Sequence, residues 1–232
     1  MKCYLSYGGG INSTAMLLLL ADEGLEFEAV YVDHGGDWPE TKEYVQMISE
    51  LFELTIIIPE VKGFNNIYEY YWDYQVMPAV FSRSCTSDWK IKQLHKYFKK
   101  PCQDFIGISF DERYRAKRKR KHKGIVDIYP LVDRQIDRQG CIEIIKAHGL
   151  PVPIKSGCFF CPFQKISEWK LLKIKHPELF QKAIDLEKRV FEERQKKGKD
   201  RLYMMGRPYT LENLFDERQK ELFEASRVLE NL

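Results

Sequence analysis

The sequence predicts an α/β protein: a mostly parallel sheet of five strands with helices on both faces, followed by a small helical C-terminal region. Three observations carry this. Over the first 130 residues, short strand-like runs alternate with longer runs of helical apolar spacing. A triple glycine, Gly8-Gly9-Gly10, stands between the first run of each kind. Finally, 232 residues with 44% hydrophobic and 13% aromatic side chains can bury the core of one substantial domain.

Lys2–Tyr7 reads as the first strand and runs into the glycines. Ser13–Glu23 reads as a helix, and Met16-Leu17-Leu18-Leu19-Leu20 makes it apolar almost all round, so it should be well buried. Glu28–Val32 is the second strand and ends at Asp33-His34-Gly35-Gly36. Pro39 suits the first turn of a helix reaching Phe52, with Glu40 and Glu43 near its positive end. Leu54–Ile58 is a third strand, closed by Pro59. A helix over Ser87–Lys99 leads to a fourth strand, Asp104–Ile108, and a fifth is expected at Ile125–Tyr129.

The aromatic stretch Phe64–Phe81 reads as an insertion packed beside the sheet. After Pro151 come a Cys-x-x-Cys segment and helices near Ser167–His176, Pro177–Arg194 and Thr210–Leu229, with a solvated linker at Lys196–Lys199. The expected division is therefore 1–150 for the α/β domain and 151–232 for the remainder. Ligands of such sheets bind beyond the carboxyl ends of the strands. That places Gly8–Ser13, Asp33–Asp37 and the segment after Ile108 around one crevice.

Net charge is only +3, so the position of charge matters more than its sum. Arg113 to Lys123 is strongly basic and follows the fourth strand; it can hold a phosphate, track a nucleic-acid backbone, or serve as a solvated loop. Arg113 and Arg115 stand nearest the strand end. The apolar stretch Ala15–Ala21 is too short to span a bilayer. Six cysteines in a chain of this length do not form a disulfide scaffold, and the expected location is the cytoplasm, with no membrane partner.

Glycines let backbone N–H groups approach phosphate oxygens without Cβ clashes. A helix N-terminus adds unsatisfied donors and partial positive charge, and the Ser13 and Thr14 hydroxyls add further contacts. The plainer alternative is a tight turn with Ser13 as a helix cap. The loop lacks the Gly-Lys-Ser/Thr ending of a Walker loop and the Gly-x-Gly-x-x-Gly of a dinucleotide site.

It resembles instead the PP-loop, Ser-Gly-Gly-x-Asp-Ser, of ATP pyrophosphatases and phosphoadenylylsulfate (PAPS) reductases, a HUP/Rossmann-like fold. Gly9 and Gly10 supply the glycine pair, Ser13 the closing serine and Thr14 its neighbour. Gly8 replaces the first serine and Asn12 the aspartate. Further likenesses follow in order: Tyr31-Val32-Asp33-His34-Gly35 with Trp38-Pro39-Glu40-Thr41, then Ser84-Cys85-Thr86 with Lys90. After these come Gly107-Ile108 with Asp111-Glu112 and Arg115, then Tyr129-Pro130-Leu131, and Gly149-Leu150-Pro151 ahead of Gly157-Cys158.

The resemblance implies a site for ATP and Mg²⁺. Ser13, Asn12 and Arg115 are its catalytic candidates, and Gly8, Gly9, Gly10, Thr14, Asp33, His34 and Arg113 contact the nucleotide beside them. Cys158 and Cys161 have a metal-ligand spacing. The resemblance brings Cys85 to them as a third ligand, implying a [4Fe-4S] cluster with one open iron; zinc is the alternative, and Cys141 an alternative fourth ligand. Cys3 and Cys102 read as small buried hydrophobes.

The leading expectation is an ATP pyrophosphatase that adenylylates an acceptor, a nucleic acid or small metabolite, and transfers sulfur to it; a homodimer is compatible with this. The second is a sulfonucleotide (PAPS or adenylylsulfate) reductase, disfavoured because no cysteine follows Cys161. The third is a non-catalytic adenine-nucleotide sensor, which Asn12 in place of the acidic residue keeps open.

Overall fold

The protein was analysed as a computed structural model that describes residues 1–78, 83–117, 122–154, 156–206 and 209–215. Five strands, β1 (Lys2–Tyr7), β2 (Glu28–Val32), β3 (Thr55–Ile57), β4 (Cys102–Ile106) and β5 (Ile125–Ile128), form one sheet in the order β3-β2-β1-β4-β5. Every neighbouring pair is parallel. The expected five-stranded parallel sheet is therefore present. The third to fifth strands are shorter than or shifted from their expected limits, and β4 begins two residues earlier than expected.

The first helices are α1 (Ile11–Asp22), α2 (Pro39–Phe52) and α3 (Ile67–Asp73). The segment expected as one helix over Ser87–Lys99 is broken into α4 (Ser84–Thr86), a π-helical turn at Ser87–Ile91 and α5 (Lys92–Tyr97). The remaining helices are α6 (Pro130–Asp133), α7 (Arg138–Ala147), α8 (Ile166–Lys175) and α9 (Pro177–Lys196). A 3₁₀ turn at Glu212–Phe215 opens the last expected helix, and the rest of that helix lies outside the described residues. Among the described residues, no helix is long and apolar enough to cross a membrane.

Both faces of the sheet are covered because both faces of its strands are apolar. On one face Leu5, Tyr7 and Phe105 join α1, Tyr44, Val45 and Ile48 of α2, and Cys141 and Ile145 of α7. On the other, Tyr4, Val30, Val32 and Cys102 meet Leu94 and Phe98 from the α5 region. Helix α1 is buried from Ser13 through Leu18 and again at Leu20, as its unbroken apolar run requires.

The chain forms two compact units, and they differ from the expected 1–150 and 151–232. One comprises Met1–Asn66 with Thr86–Gly157; the other joins Ile67–Cys85 to the residues from Cys158 on. The aromatic stretch is thus divided: Phe64–Asn66 belong to the sheet unit, and the residues from Ile67 belong to the other. Within the second unit the Tyr68 ring meets Phe159 at a tilt with centroids 5.4 Å apart, and Arg189 of α9 lies over Trp72 at 4.6 Å while donating to its carbonyl. Ala79–Phe81, the end of the stretch, lies outside the described residues.

In the sheet unit, β1 is flanked by β2 on one side and β4 on the other, which is where the connections change direction and a crevice opens. The approach of α1 to β4 sets its width. A Cβ on Gly107, just past β4, would stand 2.8 Å from the Ser13 nitrogen and 2.9 Å from its Cα. Gly107→Ala therefore forces backbone apart and is expected to lower stability by about 2 kcal/mol. Gly24→Ala, at a left-handed residue facing open space, is expected to cost about 1 kcal/mol. Urea unfolding of the two variants checks the ranking; equal losses would remove the close-packing argument.

Candidate functional site

The loop after β1 is organised by one hydroxyl. Ser13 Oγ accepts hydrogen bonds from the Gly8 and Gly10 N–H groups, each at 3.2 Å, and donates to the Gly10 carbonyl at 3.0 Å. Asn12 donates from Nδ2 to Ser109 Oγ at 3.0 Å and more distantly to Glu112. Its Oδ1 is buried and has no hydrogen-bond partner among the described residues.

These residues line a cleft of about 340 Å³ that lies wholly within the sheet unit. Gly8, Gly10, Asn12 and Ser13 form one wall, and Gly107 faces them from β4. Three cations, Lys90, Arg115 and Arg138, reach the same space against one carboxylate, Glu112. Glu112 is itself paired with Arg115 at 2.7 Å. The π-helical turn carries Lys90, and Arg138 is the first residue of α7, whose N-cap Asp137 accepts from Gly140. An amide-lined, cationic cleft at a strand-to-helix turn suits an anion with several oxygens.

Other expected residues stand elsewhere. Gly9, at φ +66, faces Thr41 and Val45 of α2. Thr14 is buried with its hydroxyl 3.1 Å from that of Tyr7. Arg113 lies over the Phe110 ring and donates to the Phe110 carbonyl. None of these three is among the residues lining the cleft. Arg118, Lys119, Arg120 and Lys121 of the basic run lie outside the described residues. Arg138 and Ser156 were missed by sequence reasoning. Ser156 sits close over Gly10, so that a Cβ there would displace its hydroxyl.

Asp33 and His34 belong to a separate polar knot at the end of β2. Asp33 accepts from the Gly35 N–H and pairs with Lys42 at 3.4 Å. His34 is fully buried. Its Nδ1 accepts from the Gly36 N–H at 3.1 Å, which puts the proton of the neutral ring on Nε2, 3.6 Å from Asp37 Oδ1. Burial, reinforced by Lys90, lowers the His34 pKa to about 4 despite the neighbouring carboxylates. Burial also pushes the Asp37 carboxyl up, but Lys90, His34 and the Tyr31 hydroxyl at 2.6 Å outweigh it and hold the carboxyl low.

The second unit holds three cysteines from two segments distant in sequence. Cys85, Cys158 and Cys161 are half-buried thiols. The last two flank a turn closed by the Cys161 N–H on the Cys158 carbonyl at 3.2 Å and by Gln164 on both Cys161 and Phe159. Tyr71 lies near two of them: burial raises its phenol, Cys85 adds to the rise, Ser84 opposes it, and Cys158 adds a smaller part. Cys141, the alternative ligand, is fully buried in the apolar core of the sheet unit, where burial pushes its thiol up to about 12. Cys102 is buried as expected, whereas Cys3 is only half-buried and lies 3.4 Å from Gln103 Oε1.

His34 makes a pH prediction. Its folded pKa of about 4 lies below the ordinary 6.5, so between these values the unfolded chain binds more protons. Stability should fall as pH drops from about 6.5 toward 4, by on the order of 2 kcal/mol from this residue. In His34→Gln that part of the slope should vanish in urea titrations; an unchanged slope would show that His34 is not held neutral.

The chain matches the family model of the phosphoadenosine phosphosulfate reductase domain over residues 2–137. Two uncharacterized proteins of Methanocaldococcus jannaschii are similar to it. One is 26% identical over 201 residues, covering 79% of this chain and 47% of the relative. The other is 26% identical over 202 residues, covering 77% and 40%. The chain thus spans less than half the length of these relatives. A crystal structure of PAPS reductase from Candida auris, in a phosphate complex, aligns with 68% of this chain and 81% of its own, at 14% identity and a TM-score of 0.49. Since the family model takes in more than half of the chain, including β1 to β5 and the loop at Gly8–Ser13, the protein belongs to the phosphoadenosine phosphosulfate reductase domain family.

Proposed function

We propose that the protein is an ATP pyrophosphatase of this family that adenylylates an acceptor and then passes sulfur to it. The observation that carries the reading is the cleft at the switch point of the sheet. There the glycine loop, the start of α1 and three cations meet within one unit. Attack by an acceptor oxygen on the α-phosphorus forms one P–O bond and breaks the α–β bridge, and pyrophosphate leaves. The residues at hand suit that task. Loop amides and the N-terminal turn of α1 face the phosphates, while Lys90, Arg115 and Arg138 offset the charge that grows on the leaving group. Catalysis of this kind is positional and electrostatic and needs no protein nucleophile.

The buried, unpartnered Oδ1 of Asn12 and the carboxylate of Glu112 are hard oxygen donors on the cleft wall, of the type that Mg²⁺ accepts. Cys85, Cys158 and Cys161 would hold a four-iron cluster by three thiolates, and when bound such a cluster supplies an iron position open to sulfide. In the same unit the Tyr71 and Phe160 rings pack edge to face with centroids 5.9 Å apart. The acceptor is a nucleic acid or a small metabolite.

Anaerobically purified protein should contain about four irons and four sulfides per chain, lost in Cys85→Ala. With ATP, Mg²⁺ and acceptor it should release pyrophosphate over many turnovers. Ser13→Ala, which disorders the loop, should lower that release by about 100-fold. Thioredoxin-dependent release of sulfite from PAPS would replace the proposal with sulfonucleotide reduction. Nucleotide binding without turnover would leave a sensor.

A further inference from the structure

Ser6 is the last residue but one of β1 and lines the cleft beside Gly8 and Ile106. Asp104 lies under it on β4, where its register partner is Tyr4, two residues earlier on the same face. The Ser6 hydroxyl stands 2.8 Å from one carboxylate oxygen of Asp104 and 3.0 Å from the other. Asp104 is only 3% exposed. Its register partner on β5 is another carboxylate, Asp127, rather than a cation. Burial pushes the Asp104 carboxyl up to about 7, against the Ser6 hydroxyl and with help from Asp127.

A serine hydroxyl has one proton to give. While Asp104 is ionised, that proton is held between its two oxygens, and Ser6 offers the cleft only lone pairs. With a proton on Asp104, the carboxyl can donate to Ser6 Oγ, and the serine proton is free to turn into the cleft. The rest of the cleft is built from amides and cations, which suit anionic oxygens in need of donors. An anion bound there also disfavours a second negative charge beneath it. Both effects act in the same direction.

We infer that Ser6 and Asp104 form a proton-linked donor in the floor of the cleft: Asp104 takes up one proton from solvent as an anionic ligand binds, and Ser6 then donates to that ligand. No covalent bond changes in this step. The inference rests on the reading of the cleft as a site for nucleotide phosphates. Ser6 is thereby a specificity residue and Asp104 a positioning residue acting through it.

Other titratable groups on this face have partners of their own: Lys2 lies over the Tyr4 ring and pairs with Glu28 at 3.9 Å, and the Tyr97 hydroxyl donates to the same Glu28. Asp127 accepts from the Tyr129 hydroxyl at 3.2 Å, Cys102 shares the strand, and Tyr4 accepts from the Lys99 N–H. On the covering segment Lys90 opens to the cleft, and Lys92 pairs with Asp88 at 2.7 Å. His95 lies against His122 at 4.2 Å, and Lys96 donates to Gln93.

The test is calorimetric titration of ATP with Mg²⁺, run in buffers of differing ionisation heat between pH 6.5 and 8.5. Protons released or bound by ATP itself are common to every variant and cancel in the comparison. Wild type should take up most of one proton more than Asp104→Asn at pH 7.5, and its affinity should fall about tenfold between pH 6.5 and 8.5 beyond any change in the variant. Asp104→Asn, a permanent donor to Ser6, should bind more tightly than wild type at pH 8.5. Ser6→Ala, which leaves the carboxyl in place, should bind more weakly at pH 6.5 and lose the part of the excess pH dependence that runs through the hydroxyl, keeping only that due to charge repulsion. Equal proton counts in wild type and Asp104→Asn, or an unchanged pH dependence in Ser6→Ala, would overturn the inference and leave the nucleotide site standing. Failure of wild type to bind ATP would overturn both.

Discussion

The N-terminal turn of α1 rests against the backbone just beyond β4, and no side chain could stand between them. Gly107 makes that contact with Asn12 and Ser13 at about the van der Waals limit for a missing Cβ. Everything in the cleft is measured from it. The burial of α1 on nearly every side fixes the helix in place, and the parallel register of β1 with β4 fixes the two loops at the same height. Ser13 can then gather Gly8 and Gly10 around one oxygen. The glycines of the loop are required for a related reason. Gly9 is pressed by Thr41 and Val45 and takes a left-handed backbone, and Gly10 is pressed by Ser156. Close approach of an anion is one use of a bare backbone, but the neighbouring protein atoms already demand it.

Lys90 connects two parts of the sheet unit electrostatically. It helps keep Asp37 ionised and His34 neutral at the end of β2, and it also lines the cleft. A buried carboxylate such as Asp37 is expensive without compensating partners. Here the Tyr31 hydroxyl and the positive field of Lys90 supply them. In return the buried carboxylate draws the ammonium toward a fixed position rather than leaving a lysine chain to sample many. His34 and Asp33 take part in this supporting knot, and Gly35 and Gly36 close it through their N–H groups.

Much of the fold was legible because the signals were local. An unbroken apolar helix after a glycine turn, and short β-branched runs between helices, specify a buried parallel sheet whatever else the chain does. The site was legible only where it shared that locality, as at Gly8 to Ser13. Arg113 and Arg115 illustrate the limit. On a 3₁₀ turn two residues are separated by about 240°, so one arginine covers Phe110 while the other enters the cleft. A strand-to-turn boundary in sequence does not reveal that phase. Arg138 and Ser156 reach the loop through topology alone, from more than 120 residues away. The contacts of the aromatic insertion are non-local in the same way, since its partners Phe159 and Arg189 lie some 90 or more residues downstream.

Asp104 is a different case, because its signal was present in the sequence. Aspartate is depleted from strand interiors, and more so from the centre of a parallel sheet, where both faces are covered. An apolar residue at this position would fill the same space next to Cys102 and Ile125 without desolvating a carboxyl. The same strand-interior anomaly recurs in register on β5 at Asp127, so two carboxyls face one another where stability alone favours none. Structures break local rules most often where function needs them broken. Here the polar pair is confined to the carboxyl half of the sheet, beneath the one serine of β1 that opens to the cleft. A requirement for folding would be met by many residues at position 104; a requirement to return a proton to Ser6 is met by very few.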